Sequence, residues 1–388
     1  MKFSYREFDG ASGRFLSPDD LFPHPALIEF IIEHGQDALD ALPQMNEQIQ
    51  EMLRELIEAG LLEEGEGGEL RMTPRMLKGM QHQALLEIFR EMKPGVKEGH
   101  PVHDPGRGGE RTDGTRPYQF GDPVSELALH ETMRNAIRRS AETAGAPATL
   151  PLQLRDSDFE LHNVESQTDS ALCVLIDLSG SMRRYGRHVA AKKVALGLKA
   201  LVRERFPADT IDFIGFASTA ERLREDELPL VMPKPITTRD WEVRVRIPLE
   251  RADETHPHLT NLQHGLRLAR RTLAQRSAAN KQVFIITDGQ PTARLSDHAG
   301  GTTLHLDYPP GEETMSATLR EALSLAQSGV RFSSFALIEE YHSMDWVGFV
   351  DQMTRLVRGV AFYCTAGDLG SAIVESYLSG KRQRKTLG

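Results

Sequence analysis

Asp177, Ser179 and Ser181 stand at alternate positions in the stretch CVLIDLSGSM, residues 173–182, directly after a run of apolar residues. In an extended turn that alternation lets three side chains converge on one point, while Gly180 relieves crowding between them. A second apolar run, VFIIT, ends in Asp288 followed by Gly289, and Thr260 stands in HLTNL just ahead of a helix-like segment. Two carboxylates and three hydroxyls, with no sulfur or imidazole, describe a site for a hard cation, Mg²⁺ or Mn²⁺, with water completing an octahedron. The serines are then metal ligands and not nucleophiles. With so few full charges around it the cation stays electrophilic, a nearby helix N-terminus adds positive potential, and the ion seeks a carboxylate from outside the chain. The plainer reading of Asp177, Ser179 and Ser181 is a polar turn capping the next helix. Thr260 and Asp288, each at the same expected edge, favour the metal site.

Nucleophilic catalysis fits less well. A hydrolase would need Ser179 or Ser181 as nucleophile, His188 or His264 as base and Asp288 as orienter. The chain has no G-x-S-x-G elbow, and both histidines fall in helix-like segments. No G-x-x-x-x-G-K-S/T phosphate loop occurs either, so ATP hydrolysis is not expected of this chain. No catalytic residue is assigned, and the chain is expected not to be an enzyme.

The elements that must position these residues begin at about Ser170. Near-continuous apolar strands (ALCVLID, TIDFIGFA, KQVFIITD, RFSSFALI, VAFYCT) alternate there with helical segments. That rhythm predicts an α/β fold, a doubly wound, mostly parallel sheet with helices on both faces. Ligand sites in such sheets lie beyond the carboxyl ends of strands, where crossovers diverge, and both aspartates are at strand ends. The stretch after Asp288, GQPTARLSDHAGGTTLHLDYPPGEE, is long for a βα connection and is expected to form a rim, with Arg294, His298 and Tyr308 as contact candidates. The segment 225–258 ahead of Thr260 reads as a loop that could move when the site is engaged.

Residues 1–92 are expected to form a mainly helical N-terminal domain, with apolar residues recurring at three and four over residues 25–92. Thr73 and Pro74 read as an N-cap and a first-turn proline. The Gly-broken LLEEGEGGELRMT could be a small wing between strands, which makes a winged-helix-like unit possible. The helix before it carries Glu51, Glu55 and Glu58, a face that would repel phosphate, so protein contact or packing is preferred to DNA binding. Residues 93–169 read as a Gly/Pro-rich linker, a helix at 124–145 and a strand lead-in to the domain at 170–380. His100 and His103 in the linker are too few to make a metal site. Tyr118 and Phe120 suggest that the linker's second half docks on a domain. The basic tail at 381–388 is left unassigned.

At 388 residues the chain has room for two or three domains, and 39% hydrophobic with 26% charged residues is ordinary globular composition. A formal charge of −10 argues against a general nucleic-acid binder. The N-terminal MKFSYREFDG is charged where a signal peptide is apolar, and no apolar run approaches a bilayer span, so a cytoplasmic protein without membrane contact is expected. Cys173 and Cys364 each sit in an apolar segment and read as buried thiols.

DLSGS, the threonine of LTN and TDG, in that order, resemble the metal-ion-dependent adhesion site of the von Willebrand factor A (integrin I-like) domain. The resemblance places metal ligands at Asp177, Ser179, Ser181, Thr260 and Asp288, and extends at fold level from about Ser170 to Gly380. The stretches LRMTPRMLKGMQHQALLEIF, GRGGERTDGTRPYQFGDP and HETMRNAIRRS are similar to a bacterial group allied to the magnesium chelatase D subunit and CoxE-like proteins. That resemblance implies a partner class, a hexameric AAA+ ATPase of the MoxR or magnesium-chelatase I type. The function implied is a metal-dependent adaptor whose ion takes an Asp or Glu from a protein partner, in protein or metal-cofactor maturation. A subunit of a chelatase-like metal-insertion enzyme is the alternative.

Overall fold

The computed structural model describes residues 25–45, 47–65, 67–91, 110–119, 127–144, 152–165, 169–237, 240–299, 301–338 and 344–382. The expectations for His100, His103, Phe120 and the tail beyond residue 382 lie outside the described residues.

The N-terminal segment folds as helices α1 (Pro25–His34), α2 (Gln36–Ala41) and α3 (Glu47–Glu58), an antiparallel strand pair β1 (Leu62–Glu64) and β2 (Leu70–Met72), and α4 (Pro74–Glu91). The expected wing-like pair is present, and the Thr73 hydroxyl caps α4 by accepting from the Met76 amide at 3.3 Å. Glu51, Glu55 and Glu58 are exposed. Farther along, β3 (Glu110–Pro117), α5 (Leu129–Ala144) and β4 (Glu160–Glu165) belong to a second compact unit, residues 96–169. Within it β3 pairs antiparallel with β4, Arg139 holds the buried Asp158 at 2.7 Å, and the Tyr118 ring stands edge-on to Phe159.

The main sheet is built on β5 (Ser170–Asp177), all of whose residues are buried. It runs parallel to β6 (Thr210–Phe216) on one side and β9 (Asn280–Thr287) on the other. Beyond β6 the edge strand β7 (Ala220–Leu223) is antiparallel; beyond β9 lie β12 (Val330–Leu337) and β13 (Val360–Cys364), both parallel. The order β13-β12-β9-β5-β6-β7 grows in both directions from β5, so the switch point lies between β5 and β9. Helices α6 (Arg187–Arg205), α7 (Leu262–Ala274), α8 (Glu312–Gln327), α9 (Met344–Val357) and α10 (Leu369–Arg382) complete the doubly wound α/β fold expected from the sequence.

Strand alternation feeds two cores. Leu172, Val174 and Ile176 enter the core that also takes up α6 and α10; Ala171, Cys173 and Leu175 enter the one under α7, α8 and α9. Cys173 and Cys364 are both buried, and neither is in a disulfide.

The first of these cores does not stop at the sheet. Ile31, Leu39, Met76, Met80 and Ile88 of the N-terminal helices belong to the same apolar cluster as Val174 and Ile176, and residues 1–95 and 170–380 form one compact unit. Gly197 permits the close approach of α4 to α6, since a Cβ there would meet Ile88 Cδ1 at 2.6 Å and the Leu85 amide nitrogen at 3.1 Å. Lys192 of α6 is fully buried and donates to the Ile32 carbonyl at 2.5 Å and the Pro229 carbonyl at 3.0 Å. It thereby satisfies a carbonyl in the last turn of α1, which has no partner within that helix. Burial lowers its pKa to about 7. The unfolded chain binds the proton more tightly, so this group's contribution to stability is full above about 10 and is lost as the pH falls towards 7. Lys192→Ala removes a packed stem and two hydrogen bonds, and is expected to lower unfolding stability by about 2–4 kcal/mol in urea denaturation. Lys192→Met keeps the stem and is expected to lose less.

A separate three-stranded sheet packs against α7 and α8. The segments before Thr260 and after Asp288, read from sequence as loops, contain β8 (Val243–Pro248), β10 (Ala293–His298) and β11 (Gly301–Tyr308), an antiparallel sheet of order β10-β11-β8. It carries its own small core of Val243, Leu259, Ala293, Leu295, Leu304 and Leu306. The pairing partners β8 and β11 lie far apart in sequence, so neither segment shows alone that it is half of a ladder.

Candidate functional site

The turn after β5 is held from three sides. The Leu178 amide donates to the Phe216 carbonyl at 2.7 Å, the Lys234 amide to the Leu178 carbonyl at 2.8 Å, and the Gly180 amide to the His258 carbonyl at 3.0 Å. Gly180 is required here: a Cβ would lie 2.5 Å from Ile236 Cγ1 and 3.3 Å from His258 Cβ. Asp177 Oδ1 accepts from the Ser179 amide at 2.8 Å, an Asx-type turn that sends the chain on towards Ser181.

Four of the five sequence-selected residues form one hydrogen-bonded chain. Ser179 Oγ is 3.1 Å from Ser181 Oγ, and Ser181 Oγ donates to Asp288 Oδ1 at 2.7 Å. With the Ser179 amide on Asp177 this chain crosses from the end of β5 to the end of β9, the two strands that flank the switch point. Asp177 and Ser179 are almost wholly buried, and the Asp288 side chain is fully buried. Thr260 is brought to the same edge but stands outside the chain. Among the described residues its hydrogen bonds run through its backbone: its amide donates to Thr292 Oγ1 at 2.8 Å and its carbonyl accepts from the Thr292 and Ala293 amides. Asn261, next to it, caps α7 by accepting from the His264 amide at 3.0 Å.

Two side chains not selected from the sequence complete the site. The β5–β9 register sets Thr287 beside Asp177, and Thr287 Oγ1 donates to Asp177 Oδ2 at 2.5 Å. Arg187, the first residue of α6, donates from Nη1 to Asp288 Oδ2 at 2.5 Å and lies over the Tyr185 ring. The threonine of the TDG triplet carried a sequence signal; Arg187 carried none, because its pairing with Asp288 depends on how α6 leaves the turn.

Burial, and after it the charge of Asp288, raises the Asp177 pKa to about 7, against the lowering effect of its bonds from Thr287 and Ser179. Neither histidine considered as a base reaches the serines. His188 lies between the carbonyls of Met182 and Glu33, and His264 accepts from the Ala220 amide with a pKa lowered to about 4 by burial. Arg294 pairs with Glu313, and His298 with Ser296 on the outer sheet, so neither is bonded to the site.

The described residues hold no group of three or more His, Cys, Asp or Glu side chains arranged for a metal. The donor set here is of another kind, two buried carboxylates bridged by serine hydroxyls, all hard oxygens, with one carboxylate left short of positive charge. Such a set fits Mg²⁺ or Mn²⁺.

No helix among the described residues is long and apolar enough to cross a membrane. Among solved structures, the chain is similar to the PilB minor pilin from Streptococcus sanguinis, at 15% identity, 57% of this chain, 64% of that one and TM-score 0.40. It is similar also to the SpRpn10 VWA domain, at 12% identity, 54% and 96% coverage and TM-score 0.33. The proteins Rv0959 of Mycobacterium tuberculosis and Mb0984 of Mycobacterium bovis are each 30% identical to it over 335 residues, 86% of this chain and 45% of theirs. The chain therefore spans about half the length of the curated relatives it matches. A family profile described as "Rv0959-like protein, third domain" matches residues 110–164, within the unit that holds β3 and β4. The profile described as "Rv0959-like protein, vWA domain" matches residues 170–378, more than half the chain and the whole sheet on whose switch point Asp177 and Asp288 meet, and the chain belongs to that vWA family.

Proposed function

We propose that this chain is a metal-dependent protein-binding adaptor and not itself an enzyme. The observation that carries the reading is the hydrogen-bonded chain from Asp177 through Ser179 and Ser181 to Asp288 across the switch point of the vWA sheet. Asp177, Ser179, Ser181, Thr260 and Asp288 would hold Mg²⁺ or Mn²⁺. When bound, the ion supplies an electrophilic position for an aspartate or glutamate of a protein partner. The chain's own residues orient that position: Thr287 fixes Asp177, Arg187 fixes Asp288, and Gly180 lets the Ile236 segment close against the turn. The partner class, an AAA+ ATPase of the MoxR or magnesium-chelatase I type, and the setting, cytoplasmic protein or metal-cofactor maturation, follow from the resemblance in the sequence.

The test is a pull-down of the tagged chain from its own cell extract with Mg²⁺ or with EDTA, read by mass spectrometry. Retention of an AAA+ ATPase or a target protein with Mg²⁺ alone, lost in Asp177→Ala, is the expected result. An identical retained set in EDTA would sink the metal-dependent reading.

A further inference from the structure

A cavity of about 330 Å³ lies away from the aspartate and serine chain, between α7, α8 and the outer strand β10. Its wall presents Arg267, Arg294 and Arg320, with Glu321 as its one carboxylate and the Ser296 hydroxyl beside them. Three arginines lining one hollow stand out on a chain whose formal charge is −10.

The arginines are held but not saturated. Arg267 and Arg294 are largely buried, at 16% and 12% side-chain exposure, whereas the carboxylates that answer them from outside, Asp297 and Glu313, are 61% and 78% exposed. Ion pairs to such exposed partners contribute little and exchange readily with an incoming anion. Nε of Arg294 is buried without a hydrogen-bond partner, and such a donor in native proteins calls for a missing acceptor. Arg320 forms no ion pair among the described residues and projects from the exposed side of α8. Glu321 is itself held by Arg270 at 3.0 Å and Arg267 at 3.6 Å, so it steadies the wall and does not neutralise the other two arginines. Ser296 Oγ, bonded to His305 Nε2 at 2.7 Å, adds a polar contact at the rim.

We propose that this cavity is a binding site for a dianionic phosphate group, carried by a small phosphomonoester or present as free phosphate, with Arg267, Arg294 and Arg320 as its donors. Planar guanidinium forks match the paired oxygens of phosphate, which a single ammonium does not. The volume accommodates the phosphate and a small attached group. Nothing in this assignment depends on a cation at Asp177, and the site goes beyond the adaptor reading.

The test uses the full chain in EDTA, at constant ionic strength, titrated calorimetrically with sodium phosphate, with glycerol 3-phosphate and with sodium chloride as control. Both phosphates are expected to bind saturably where chloride does not. Arg320→Gln, an exposed change that leaves the fold intact, is expected to weaken binding about tenfold, and Arg294→Gln likewise. Tighter binding of glycerol 3-phosphate assigns a phosphomonoester; equal binding assigns free phosphate. Asp177→Ala is expected to leave both affinities unchanged, which separates this site from the proposed metal centre. Phosphate binding no better than chloride, or an Arg294→Gln/Arg320→Gln double variant that binds as the parent does, overturns the proposal.

Discussion

Asp177→Asn is expected to weaken Mg²⁺ binding by at least about a hundredfold, roughly 2.8 kcal/mol, while raising the stability of the metal-free chain above neutral pH. The two effects have one cause. Asp177 is buried beside a second carboxylate, and its pKa is pushed up to about 7 from an ordinary 3.8. A carboxyl group whose folded-state pKa is raised binds its proton more tightly in the folded chain. Its contribution is therefore full below about 4 and is lost as the pH rises through about 7. In EDTA the parent chain should lose stability between about pH 4 and about pH 7, and Asp177→Asn should flatten that loss. Saturating Mg²⁺ should restore the parent at pH 8, because a ligand that binds only the folded state stabilises it. Thermal unfolding at the two pH values and calorimetric titration with Mg²⁺ measure both. An Asn variant that binds Mg²⁺ like the parent would show that Asp177 is no ligand.

Arg187→Met is expected to act in opposite directions on fold and site. Arg187 is the one cation bonded to Asp288 among the described residues, and the pair is almost wholly shielded, with 11% and 0% side-chain exposure. Removing one partner of a buried pair leaves the other charge uncompensated, at a cost of about 3–5 kcal/mol. In EDTA the variant should unfold at a markedly lower urea concentration. The same deletion returns a full negative charge to the site, so Mg²⁺ affinity should rise, by about tenfold if one charge-assisted contact of Asp288 is freed for the ion. Stability in Mg²⁺ should then recover towards that of the parent. A variant that loses stability equally with and without Mg²⁺ would show that Arg187 does not compete for the carboxylate.

Both effects bear on how such a site would discriminate. An arginine that occupies one oxygen of Asp288 lowers the negative charge facing a cation, and a less neutralised cation attracts an external carboxylate more strongly. Affinity for the ion and affinity for an acidic partner are thus expected to change in opposite senses when Arg187 is altered.

The sequence by itself determined the doubly wound sheet and the local half of the site. A fully apolar strand ending in Asp177, Ser179 and Ser181 is a short-range pattern, and the period of β5 dictates both of its buried faces. The buried thiols, the cap at Thr73 and the strand pair between the N-terminal helices are equally local, and they were legible for that reason. What only the tertiary structure decided involves residues whose interaction depends on separate elements meeting. The β5–β9 register puts Thr287 on Asp177, the path of α6 puts Arg187 on Asp288, and Lys192 ties α1 to α6, while the N-terminal helices share one core with the sheet. The outer sheet belongs here too: Val243, Val245 and Ile247 alternate as a strand should, but their ladder partner β11 lies beyond α7 and β9. Periodicity records which face of an element is buried, because burial is a property of each residue. It does not record which element supplies the burial, because register and packing are fixed by contacts between segments distant in the chain.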